Sequence, residues 1–128
     1  MSISKLLALI FGVTFVSVGL IGFLPNPLVS AEGLFVTNTM HNLVHVLTGG
    51  AFLLAALMPG RESTLILGIG AAYVAVAALG FLTRGDQLLG IVHINQADRW
   101  LHAFLAAAIL LAGRIAKQMD LSRSLEAD

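Results

Sequence analysis

Two short stretches of this chain carry the residue types that could do chemistry. His41 and His45 form one i, i+4 pair, and Asp98 and His102 form another. On a helix that spacing places both side chains on one face. If the two faces meet, three imidazoles and one carboxylate converge. Such a set suits zinc or another divalent ion, because zinc takes about four nitrogen or oxygen ligands; copper(II) and nickel accept similar donors. Helix N-termini carry partial positive charge, which favours the neutral, ligating imidazole and weakly opposes a cation. His45 and His102 also permit a second reading. As two axial ligands they could hold a b-type haem, or singly a chlorophyll-type pigment. Gly49-Gly50 and Ala106-Ala107 would then make room for the macrocycle.

A structural reading stands beside both. Asn38 and Asn95 suit helix N-caps, and Asp98, three residues after Asn95, suits a capping box with a shorter acid. His41 and Arg99 fit a headgroup boundary, and His93 an interfacial loop. Capping does not account for His45 and His102, one turn deeper. Ionisable residues inside a membrane are costly and default to a functional hypothesis.

The elements that must position these residues are membrane helices. The chain has 128 residues, 58% of them hydrophobic and only 11% charged. A soluble domain of this size cannot hide that much apolar surface. Four apolar runs, at 6–24, 39–58, 64–82 and 97–115, each approach the roughly 20 residues needed to cross a bilayer. Pro25 with Pro27, Pro59-Gly60 and Arg84-Gly85-Asp86 punctuate them. Backbone in hydrocarbon must satisfy its own hydrogen bonds, so the runs are helices. The expected fold is a single all-α domain over 1–128, a four-transmembrane-helix bundle. A polar tail over 117–128 follows, partly disordered from Met119 on. Val29-Ser30-Ala31 resembles a signal-cleavage site, but the run before it is longer than a signal core and reads as a span.

Basic residues give the orientation. Lys5, Arg61, Arg114, Lys117 and Arg123 fall on one side, and Arg84 and Arg99 on the other. The positive-inside rule puts both termini in the cytoplasm and the loops 25–38 and 84–95 outside. Trp100 fits the outer aromatic belt. The Tyr73 hydroxyl, in mid-span, needs a partner, expected to be a carbonyl one turn back. Seven basic and seven acidic residues cancel, which leaves no field for nucleic acid. No cysteine is present, so disulfides, thiolate metal sites and cysteine nucleophiles are excluded.

The second half echoes the first. Gly22-Phe23-Leu24 recurs as Gly80-Phe81-Leu82, Asn38 pairs with Asn95, His41 with Asp98, and His45 with His102. Two tandem helix pairs of like orientation are expected, related by an axis along the membrane normal. Gly12, Gly19 and Gly22 on the first helix, and Gly68, Ala72 and Gly80 on the third, suit close helix packing.

The stretches around His41-Asn42-Leu43-Val44-His45 and Ala97-Asp98-Arg99-Trp100-Leu101-His102, with four spans and the Gly22-Phe23-Leu24-Pro25 end of the first, resemble a bacterial family called domain of unknown function 4383. The resemblance covers residues 6–113. It implies a bacterial inner membrane or thylakoid protein and no established activity. Where the family's second motif continues with Asn, Arg99 stands here and adds a charge beside the proposed site.

Two functional classes follow. The first is a binding module with a His/Asp metal site on the outer side. The second is an accessory or structural subunit of a larger membrane complex or homo-oligomer, with a pigment or haem as its cofactor. No nucleophile–base pair, phosphate loop or continuous polar stripe marks the chain as an enzyme or transporter.

Overall fold

Ser2 begins the first helix by accepting the Lys5 amide on its hydroxyl, and the chain then runs as α1, Ile3–Ile21. Proline prevents its continuation, and a loop follows that contains the paired segments β1 (Val29–Ser30) and β2 (Phe35–Val36). Asn26 organises this loop. Its Nδ2 donates to the carbonyls of Leu24 and Val29, at 2.8 and 2.7 Å, and its Oδ1 accepts the Val29 amide at 2.8 Å. Helix α2, Thr39–Ala56, returns across the bundle. A tight turn at Gly60, with φ of +79°, leads into α3, Glu62–Leu82. A second short pair, β3 (Gln87–Leu88) and β4 (Val92–His93), precedes α4, Gln96–Glu126. In this computed structural model residues 1–126 are described. Ala127 and Asp128, the end of the expected tail, lie outside the described residues.

All four helices are long and apolar enough to cross a membrane. The fold is thus the expected all-α bundle. α1 packs chiefly on α2 and α3 chiefly on α4, and the two pairs close around a core of Ala8, Phe15, Phe52, Ile66, Tyr73 and Ile109. The opposite surface is apolar as well: Val13, Leu47, Leu54, Phe104 and Leu111 are all exposed, as lipid requires.

Glycine sets the closeness of α1 and α2. A Cβ on Gly19 would sit 2.8 Å from the Asn42 carbonyl oxygen, and one on Gly49 would sit 2.6 Å from the Val16 amide nitrogen. A Cβ on Gly22 would strike the Asn42 side chain. In the second pair the close contacts fall on Gly70, against Leu110, and Gly113, against Ile66. Gly68, expected at the interface, faces open space instead. Glycine content was readable, but the helix rotation that selects which glycine faces its neighbour was not.

The segment expected as a loose tail is helical. α4 continues to Glu126, and it is tied back to the start of the chain. The Asp120 carboxylate accepts the Ile3 amide at 2.9 Å and the Ser4 amide at 3.0 Å, capping α1 from the far end of α4. Lys117, Gln118, Met119, Leu121 and Arg123 are good helix formers despite their polar average.

Candidate metal centre

The site lies at the end of the bundle that carries the strand pairs, where α2 and α4 begin. Asn38 caps α2: its Oδ1 accepts the His41 amide at 2.9 Å. Asn95 caps α4 in a reciprocal box. Its Oδ1 accepts the Asp98 amide, and Asp98 Oδ2 accepts the Asn95 amide, each at 2.9 Å. Each cap also reaches into the other loop. Asn38 Nδ2 donates to the Ile91 carbonyl and Asn95 Nδ2 to the Leu34 carbonyl, both at 2.8 Å. The first turns of the two helices are therefore held in fixed register.

This register brings His41, His45 and His102 together. Each can offer a ring nitrogen such that the three atoms lie within 4.8 Å of one another. All three are buried, His41 to 2% exposure. The His41 and His45 rings stack with centroids 4.9 Å apart, and His102 lies 5.5 Å from His41 and 6.2 Å from His45. Phe15 stacks on His45 at 5.6 Å, and Tyr73 meets His102 edge-on at 6.0 Å. The cluster thus rests on the aromatic top of the core.

One hydrogen bond fixes the chemistry of His41. Its Nδ1 stands 2.7 Å from the His93 carbonyl. A carbonyl oxygen only accepts, so Nδ1 carries the hydrogen and Nε2 carries the lone pair. That Nε2 is buried and has no hydrogen-bond partner within the protein, and neither has His45 Nδ1. Buried polar nitrogens without partners are uncommon and call for an explanation. Metal-ligating histidines typically donate their second ring N–H to a carbonyl or carboxylate, which sets tautomer and ring orientation.

Among the residues singled out from sequence, Asp98 is placed differently from the histidines. It is buried beside His41, close enough for the two to interact electrostatically, but it falls outside the converging ligand set. Its Oδ2 is engaged by the Asn95 amide. Arg99 turns away from the cluster, with its guanidinium on the Gly85 carbonyl and Gln96 Oε1. His93 contributes through its backbone: its carbonyl holds His41, and its amide reaches Asn38 Oδ1 at 3.3 Å. The Tyr73 hydroxyl lies near the Thr48 side chain of α2. Phe15 and Tyr73 were not identified in advance as walls of the site. An apolar aromatic in an apolar helix gives no sequence signal of what it faces.

Four membrane-capable helices around a buried histidine cluster define a multi-pass membrane protein with a candidate metal centre. The chain belongs to the family described as domain of unknown function (DUF4383), whose family model matches residues 5–115. No curated protein and no solved structure matches the chain.

Proposed function

We propose that this protein is a membrane-embedded binding module that holds a divalent metal ion, zinc foremost, on His41, His45 and His102. The observation that carries the reading is the pair of buried, unpartnered ring nitrogens, His41 Nε2 and His45 Nδ1, in a three-histidine cluster. The His93 carbonyl on His41 Nδ1 supports it, since that bond exposes the nitrogen a metal would use. Asp98 serves as a buried counter-charge rather than a ligand. Borderline nitrogen donors also suit copper(II) and nickel.

A tetrapyrrole on His45 and His102 is less well supported. Its plane would need the space that the His41 ring occupies, 4.9 Å from one ring and 5.5 Å from the other. Gly49, expected to make room for it, is already filled by the approach of α1.

The halves of the chain read as two copies of one helix pair. The reciprocal bonds support this: Asn38 to Ile91 and Asn95 to Leu34 join positions that the sequence echo relates. The distribution of lysine and arginine supports cytoplasmic termini and an outward-facing site, in a bacterial inner membrane or thylakoid.

Purified protein should retain about one metal ion per chain by elemental analysis. A His45→Ala, His102→Ala double variant should lose it while remaining folded by circular dichroism. Stoichiometric metal in that variant would overturn the reading. Affinity should also fall as pH is lowered, because protons compete for the same lone pairs.

A further inference from the structure

The three imidazoles account for three coordination positions, and zinc-like ions usually fill four. Three other polar side chains stand close by. Asp98 Oδ2 accepts the Asn95 amide in the capping box. The Tyr73 ring meets His102 edge-on, with its hydroxyl near Thr48. The buried Asn42 Oδ1 has no hydrogen-bond partner within the protein and packs against Gly22 on α1. Among the described residues no cysteine, aspartate or glutamate joins the histidine set. Charge points the same way. A divalent ion on three neutral imidazoles brings two positive charges into a buried site, and one neighbouring carboxylate leaves at least one uncompensated. Burying an uncompensated charge is costly, so an anionic ligand is favoured at the remaining position.

From this we infer that the centre is an open one: the ion keeps an exchangeable fourth position that takes water or a small inorganic anion. The inference rests on the proposed metal module and adds to it. A closed four-ligand site would serve structure alone, whereas an open one polarises whatever small ligand enters. The histidine cluster lies at the strand-bearing end of the bundle, where α2 and α4 begin.

The test uses the full chain in detergent, loaded with cobalt(II) in place of the native ion and titrated with sodium azide. Cobalt(II) in a tetrahedral nitrogen site has visible bands that respond to each ligand. Azide should shift these bands saturably in the native sequence, and at lower azide concentration in Asp98→Asn, which keeps the capping acceptor and removes the competing charge. Cobalt bands that azide leaves unmoved mean a protein atom fills the fourth position, and the inference fails while the metal module stands. An azide response that appears only in Asp98→Asn assigns that position to Asp98, with the same consequence. Failure of the native protein to bind cobalt or zinc overturns the module and this inference together.

Discussion

A single hydrogen bond decides what His41 can do. With Nδ1–H given to the His93 carbonyl, the ring is locked and its other nitrogen is left buried and unpartnered. The lock depends on Asn38, whose Oδ1 holds both the His41 and His93 amides. Asn38→Ala should therefore cost about 1–2 kcal/mol of stability, the usual loss for an N-cap. It should also weaken metal binding by about 10-fold or more, as loss of an orienting partner commonly does. Thermal denaturation and a competitive zinc titration would check the two effects. Unchanged affinity would show that His41 is oriented without Asn38. At this scale the sequence was partly legible. The i, i+4 spacing found the three histidines, and Asn95 with Asp98 read correctly as a capping box. The spacing also offers Asp98 as a ligand; it is buried beside His41 with Oδ2 on the Asn95 amide, outside the histidine group, because spacing places a side chain on a face without fixing where its carboxylate turns.

Between elements, the governing quantity is how closely two helices approach. α1 and α2 come together over Gly12, Gly19 and Gly49, where a single methyl would meet backbone or a packed side chain. Gly19→Ala should destabilise the bundle by about 1–3 kcal/mol, the range for overpacking a tight contact. Gly68→Ala meets nothing within 4 Å and should be neutral or stabilising by up to about 1 kcal/mol, from helix propensity alone. Denaturation in mixed micelles would compare the two; equal effects would mean the helix rotation described for α1 and α3 is wrong. The four helices themselves were legible, since length and apolarity are enough to specify a span. Which small residues faced a neighbour was not, because that depends on helix rotation. The loose tail was misread for a related reason. Polarity after Lys117 marks exit from lipid, not the end of a helix. At 1.5 Å per residue the 31 residues of α4 span about 46 Å, well beyond a hydrocarbon core of about 30 Å. Its projecting end is fixed by Asp120 on the α1 N-terminus, and Asp120→Ala should cost about 1 kcal/mol.

For the whole molecule, orientation decides which compartment the site serves. The chain contains no cysteine, so any introduced one is a unique reporter. Asp86→Cys, in the exposed strand-bearing loop, should react with an impermeant maleimide in intact cells. Ser124→Cys, near the other end, should react only after permeabilisation. The reverse pattern would turn the site toward the cytoplasm. The two strand-bearing loops carry a further consequence, and it is kinetic. Asn38 grips the second loop and Asn95 grips the first, so each loop is pinned by the helix cap of the other helix pair. If the histidines hold a metal ion, loosening either grip should shorten its residence time, although both asparagines stand outside the histidine cluster.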